Sequence, residues 1–439
     1  MALPNEYAIR QYLARREVLE PYFKEYQNLT KFSRFMGETN DNIIMVKRVK
    51  EGNAVVIPVN QIFYDMNIKY GADTLSGAEQ ELTYDYMQFN VARQSWAMKI
   101  TDEMYQRLVY GRDFPADIKR NLLNQVEFNL NRRIVQSFGV ALSFQSTSTV
   151  TQGNLNYVNY VWDYPALTAR MIACGIDGAG AANGDNVSSS RLMLGYNFND
   201  PANIANNGYV AGGAISAMLG SANFGGAAGN FAANQFNISH IRKCIKLAEI
   251  GTRLPNTNPF GSVYQENPIK PYRMEAEREG YPNSVYLYLI SPSAYEFIVT
   301  TADWQAQVAR GVIERDSQPS ILWGSNYKGT IEGAMIVTVP EFDNYLVPCR
   351  GAAGAASALA TYSVLLGSGA IAYGMSGAPQ LKYEERNYDL IHGIAHTEVC
   401  GIRPIKFSSK ANPNLKGNEQ SPVQVDNGMI HCFASISNT

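Results

Sequence analysis

Residues 54 to 99, AVVIPVNQIFYDMNIKYGADTLSGAEQELTYDYMQFNVARQSWAMK, hold two runs of period-two alternation on either side of a turn. Tyr64, Met66, Ile68 and Tyr70 alternate with Asp65, Asn67 and Lys69. After the turn-rich GADTLSGAE, Leu82, Tyr84 and Tyr86 alternate with Glu81, Thr83 and Asp85, and strand character continues through Phe89 and Val91 to Lys99. Such alternation puts apolar side chains on one face of a strand, so the stretch predicts a long β-hairpin. About eighteen residues per arm at ~3.3 Å each approaches 60 Å, whereas strands of globular domains usually run about 3 to 10 residues. A compact body of this chain length has a radius of gyration of ~22 Å, so a ribbon that long projects from it. Its apolar face then needs cover from a neighbouring molecule. The phase slips near Asn60 and Met87, which marks a bulge or a split of each arm into two shorter strands.

On the N-terminal side, residues 1 to 36 are helix-prone, with Tyr7, Tyr12, Leu13, Leu19, Tyr22 and Phe23 set among Arg and Glu. This arm is too polar to form a core alone and packs on something else. On the C-terminal side, RDFPADIKRNLLNQVEFNLNRRIVQSFG carries the strongest helix signal. Asp113 caps, Pro115 sits in the first turn, and Ile118, Leu122, Val126, Leu130, Ile134 and Phe138 recur every fourth residue until Gly139. The result is a one-sided helix of about 25 residues spanning ~37 Å.

Residues 145 to 236 are rich in Gly, Ala, Asn and Ser, with strand-like islands at NYVNYVWDY and RLMLGYNF. Then follow a capped helix from Asn237 to Gly251 and a second, SPSAYEFIVTTADWQAQVARG, announced by Ser291 and Pro292. Short buried strands at AMIVTV, TYSVLL and GMIHCFASI complete an α+β chain with no solenoid repeat.

Composition narrows the function. Lys+Arg number 37 against Asp+Glu 39 without a long single-sign run, so the chain lacks the electrostatic footprint of a dedicated nucleic-acid binder, and any contact it makes with nucleic acid is weak and non-specific. Charged residues make up only 17% while Tyr reaches 27 copies, a surface suited to protein contacts. The N-terminal stretch lacks the apolar core of a secretion signal. VYLYLI, residues 285 to 290, is too short to span a membrane. The five cysteines, Cys174, Cys244, Cys349, Cys400 and Cys432, have no paired spacing and read as reduced, mostly buried thiols.

Three patterns imitate chemistry. His392, His396 and Cys400 stand four apart, which on a helix makes a metal face, but Gly393 and the other glycines of LIHGIAHTEVCGI favour a strand. Gly367, Gly369 and Ala372 match a dinucleotide fingerprint, with Asp389 about twenty residues on, but Gly374, Gly377 and Pro379 break any following helix. A tight strand-to-strand turn is the better account. Asp177 and Asp185 match no calcium loop and read as a solvated turn. No catalytic, cofactor or metal residue is assigned, and the chain is expected to be no enzyme. Sequence leaves open that His240, His392, His396 or His431 meets a Cys or Ser in space.

The order of parts, helical arm, projecting hairpin, long helix and β-rich body, resembles the Hong Kong-type (Johnson) fold of the major capsid proteins of tailed bacteriophages. Within it, Gly71-Ala72-Asp73-Thr74-Leu75-Ser76-Gly77-Ala78-Glu79-Gln80-Glu81-Leu82-Thr83 is similar to the Gly-x-x-Thr-Leu-x-Gly-Asn-Glu-Glu-x-Leu-Thr hairpin motif of the podovirus branch with a virion-carried RNA polymerase, departing at Ala78 and Gln80. Gln106, Arg107 and Arg112, Trp304, GTIEGAMIVTVPE, and Tyr388-Asp389 through Gly393 and Gly401 are further similar features.

The resemblance implies an N-terminal arm (1–45), an extended hairpin or E-loop (46–100), the spine helix of a peripheral domain (101–145) and an insertion (146–236). It further implies an axial domain with remaining peripheral elements (237–380) and C-terminal peripheral strands (381–439). It implies hexamers and pentamers tiling an icosahedral shell, with Tyr64, Met66, Ile68, Tyr70, Leu75, Gly77, Glu79, Leu82, Tyr84 and Tyr86 of the hairpin touching neighbouring subunits. Scaffolding, decoration and portal proteins are the further partners it implies, any scaffold being a separate chain. The protein would be made in the host cytoplasm and end in the virion. The rivals are a decoration or tail component and a nucleotide-dependent oxidoreductase using residues 367 to 372. Inter-subunit Lys-to-Asn cross-linking is known in the fold; Lys69 lies near the hairpin tip, without an identifiable partner.

Overall fold

The computed structural model describes residues 31–39, 41–49, 54–60, 84–101, 114–142, 145–152, 155–162, 192–194, 236–250, 268–273, 284–309, 326–342, 349–350, 358–377, 379–386, 391–408 and 424–437. In chain order its strands begin with β1 (Met36–Gly37), β2 (Ile44–Val49), β3 (Ala54–Asn60), β4 (Tyr84–Asn90) and β5 (Ala92–Thr101). Helix α1 (Phe114–Leu142) separates these from β6 (Gln145–Gln152), β7 (Leu155–Trp162) and β8 (Leu192–Leu194). Then come α2 (Ile238–Ile250), β9 (Tyr272–Arg273), β10 (Ser284–Ile290), α3 (Pro292–Thr300) and α4 (Ala302–Ala309). The chain ends in β11 (Tyr327–Ile331), β12 (Ala334–Thr338), β13 (Cys349–Arg350), β14 (Ala358–Leu366), β15 (Ile371–Ser376), β16 (Gln380–Arg386), β17 (Ile391–Pro404), β18 (Lys406–Ser408), β19 (Gln424–Asp426) and β20 (Met429–Ser437).

Two large sheets carry the body. The first has six strands in the order β1-β2-β15-β17-β16, with β5 also on β17. The second has eight, β11-β12-β10-β14-β20-β8, with β9 on β10 and β13 on β14. Every residue from Val285 to Ile290 of β10 is buried, because the strand is covered on both faces and therefore reads as an unbroken apolar run. Val285, Leu287 and Leu289 face a core shared with Leu130, Ile134, Val135 and Phe138 of α1. Tyr286, Tyr288 and Ile290 face the opposite core, built with Ile241 and Cys244 of α2, Ala294 and Ile298 of α3 and Trp304 of α4.

The long helix expected from the fourfold spacing is α1, and Leu122, Val126, Leu130, Ile134 and Phe138 are all buried. It runs 29 residues, ending at Leu142 rather than at Gly139. A helix interior tolerates one glycine for about 1 kcal/mol, and Val140, Ala141 and Leu142 bring no stop signal. The single helix read at 291 to 311 is two. Ser291 Oγ accepts from the Ala294 amide at 3.1 Å and starts α3 as expected. Thr301, however, is extended (φ −72°, ψ 140°) and its Oγ1 accepts from the Trp304 amide at 3.4 Å, capping α4. A β-branched Val299-Thr300-Thr301 run makes the break inexpensive there. Residues 33–35 form one 3-10 turn leading into a strand, and Phe32 and Phe35 belong to the main core. Residues 1–30 lie outside the described residues. The division at 45/46 falls inside β2, that at 145/146 inside β6 and that at 380/381 inside β16. No helix among the described residues is long and apolar enough to cross a membrane.

Candidate assembly surface

The ribbon starts as expected, with β3 antiparallel to β4 in a register that sets Val55 opposite Phe89 and Ile57 opposite Met87. Its second arm departs from the expectation. At Val91 the strand breaks, and β5 leaves the hairpin to pair antiparallel with β17, from Ala92 opposite Cys400 to Thr101 opposite Ile391. The inner face of the base is covered by the same chain: Val55, Ile57, Phe89 and Val91 cluster with Met45, Ala372 and Ile405. Each such apolar side chain contributes roughly 1.5–3 kcal/mol when withdrawn from water. The picture of an eighteen-residue arm projecting along its whole length is therefore corrected, because the apolar alternation near the base finds its partner within the subunit. The outer face is open, with Val56 55% exposed.

Two glycines make this seat. Gly374 of β15 and Gly401 of β17 are register partners. A Cβ at Gly374 would stand 2.5 Å from Val55 Cγ2, and one at Gly401 would stand 2.9 Å from the Asn90 carbonyl oxygen and 3.2 Å from the Phe89 ring. Bare backbone on two adjacent strands leaves the hollow into which the Phe89 ring drops.

A buried polar cluster ties the strand that holds β5 to α1. The Arg133 guanidinium donates to Glu398 Oε1 at 3.0 Å and reaches Cys400 Sγ at 3.1 Å, while that thiol donates to the same carboxylate oxygen at 3.0 Å. His396 Nε2 lies 3.6 Å from Glu398 Oε2, and the His396 ring stacks on Trp96 of β5 at 5.1 Å between centroids. Burial opposes the Arg133 charge, but Cys400 and Glu398 beside it hold its pKa above the ordinary value. Burial, aided by Glu398, pushes the Cys400 thiol up to about 12. On α1, Phe128 is 52% exposed.

Of the ten hairpin residues expected at subunit contacts, Tyr84 and Tyr86 lie on β4, opposite Asn60 and Pro58. Tyr64, Met66, Ile68, Tyr70, Leu75, Gly77, Glu79 and Leu82 lie outside the described residues, as do Lys69, Asp177 and Asp185. His392, His396 and Cys400 do fall on a strand, β17. Four residues of strand span ~13 Å, too far for neighbours in that series to share one ion. Gly367 and Gly369 turn the chain from β14 into strand β15, and Gly369 has φ 65°. A strand where the fingerprint needs a helix N-terminus removes the phosphate site of the oxidoreductase reading. The sequence does not single out the seat: Gly374 reads as a helix breaker, although a glycine inside a strand also signals close approach of another backbone.

No family model matches the chain, and no curated protein sequence matches it. Its fold is found among solved structures. The capsid asymmetric unit of cyanophage Pam1 is 16% identical, with TM-score 0.56 and 94% of each chain covered. The capsid of Ralstonia phage GP4 is 14% identical, with TM-score 0.57, covering 92% of this chain and 90% of that one. The head structure of Helicobacter pylori bacteriophage KHP40 is 11% identical, with TM-score 0.54, covering 93% and 90%. The chain has the fold of bacteriophage capsid proteins.

Proposed function

We propose that this chain is a major capsid protein that assembles with copies of itself, as hexamers and pentamers, into an icosahedral head enclosing double-stranded DNA. The carrying observation is coverage: the likeness to the Pam1 capsid structure takes in 94% of both chains, so it is not confined to one part of the fold. The arm, E-loop, spine helix, axial and peripheral parts of the Hong Kong-type fold are the matching assignment. The Gly71–Thr83 motif supports the podovirus branch.

In this role the protein acts through geometry and performs no reaction. The ribbon base is clamped to its own body by β17 and the glycine seat, which supports a ribbon aimed in a fixed direction. Residues Tyr64 to Tyr86 then contact the adjacent subunit, and many modest interfaces add up in a closed shell. Scaffolding, decoration and portal proteins are the further partners, DNA contact is weak and non-specific, and the site of action is the virion after synthesis in the host cytoplasm. Electron microscopy of the expressed chain, alone and with a co-expressed scaffold, tests this. Closed shells are expected, and tubes, small rings or a persistent monomer under both conditions would refute it. Replacing residues 62 to 82 by a short Gly-Ser turn should leave a folded subunit that forms no shells.

A further inference from the structure

Helix α2 and strand β20 bring together three side chains that the capsid role does not use. His240 and Cys244 stand one turn apart on the same face of α2, Cys432 lies on β20, and all three are 0% exposed. One ligand atom from each lies within 4.8 Å of the others, and the two sulfurs are 2.7 Å apart. Neither ring nitrogen of His240 has a hydrogen-bond partner among the described residues; its neighbour is the Phe236 ring, edge-on at 5.5 Å. A histidine buried without partners is costly unless something supplies one. The Tyr288 hydroxyl, on β10, lies beside the sulfurs and bonds to Ser363 Oγ at 2.8 Å.

We propose that His240, Cys244 and Cys432 form a buried structural site for a zinc ion that ties α2 to β20. Two thiolates and an imidazole are the donor set zinc prefers, and the Tyr288 hydroxyl faces the same cluster. Binding one Zn2+ releases two thiol protons and leaves both sulfurs as thiolates, with no change of oxidation state. Burial drives the His240 pKa down to about 3, so the ring is neutral and able to ligate at physiological pH. Tetrahedral Zn–S bonds of ~2.3 Å set two sulfurs roughly 3.8 Å apart, so the pair opens by about 1 Å on loading.

A disulfide is the competing outcome, since an S–S bond of ~2.05 Å is also near. It leaves both His240 nitrogens orphaned and needs an oxidant inside a region closed to solvent. The ion uses all three groups and enters as the chain folds, before α2 closes on β20.

The test is elemental analysis of the full-length protein expressed in zinc-supplemented medium and dialysed free of loose metal. About one zinc per subunit is expected, falling to none in Cys244→Ser and Cys432→Ser. Wild-type protein from cobalt medium should show thiolate-to-cobalt charge-transfer and tetrahedral d–d bands, a readout independent of how the variants fold. Absence of both metal and bands, zinc retained in Cys244→Ser, or a peptide linking Cys244 to Cys432 through sulfur would each overturn the proposal.

Discussion

Helix α1 and the ribbon are both long, one-sided elements, and they differ in how their apolar faces are covered. The stripe of α1 from Leu122 to Phe138 is buried, with Leu130, Ile134 and Phe138 packed against strands of its own chain, while Phe128 on another face is exposed. At the base of the ribbon the same chain covers Val55, Ile57, Phe89 and Val91, and the face carrying Val56 is open. Periodicity thus tells which face is covered, but not whether the cover lies on the same molecule. That must be read from what the element meets.

The most severe way to break the contrast is to cut the link between the two elements. Glu398→Ala strands the Arg133 charge in the interior and should cost about 3–5 kcal/mol, measured as a lower urea midpoint of the unassembled subunit. A loss below about 1 kcal/mol would mean that water reaches the pair. Next, Phe89→Ala empties the glycine seat and should cost ~3 kcal/mol. Gly401→Val overfills it, costing about 1–3 kcal/mol. In both, limited proteolysis should cut within residues 54 to 101 before it touches α1. Equal cleavage of ribbon and helix would show that the base is not held separately.

A pH scan sharpens the comparison further. Below pH 9 the Cys400 thiol keeps its proton whether the chain is folded or not. Between about 9 and 12 the unfolded chain releases it while the folded one retains it, so stability falls as pH rises through that window. Cys400→Ser should remove this part of the alkaline slope in a thermal melt, and an unchanged slope would count against the burial of that thiol. The smallest effect is expected outside: Val56→Ser and Phe128→Ser should each change subunit stability by less than about 0.5 kcal/mol. A drop in shell yield with unchanged melting would mark either residue as a contact between subunits.

The parts legible in sequence were those whose signal is local. The fourfold spacing of α1, the unbroken run of β10 and the caps at Ser291 and at Asn237, whose Oδ1 accepts from the His240 amide at 2.9 Å, each depend on residues a few positions apart. The ribbon's strands were legible for the same reason, but not the capture of β5 by β17. That pairing joins residues some three hundred positions apart, and no local pattern names the partner. The Arg133–Glu398 pair and the Cys244–Cys432 approach are hidden in the same way, by separations of 265 and 188 positions. Gly374 and Gly401 were visible but ambiguous, since a missing side chain permits both a break and a close approach.

The capture of β5 by β17 also gives the subunit a mechanical grain. A pull along β5 loads every rung of that ladder together, from Ala92 and Cys400 to Thr101 and Ile391, and passes through Glu398 and Arg133 into the long helix. A pull across it loads one rung at a time and peels the strand from an end. Tension in one direction is thus shared by the whole body, while a sideways wrench yields locally, so the attachment is stiff along one axis and compliant across it.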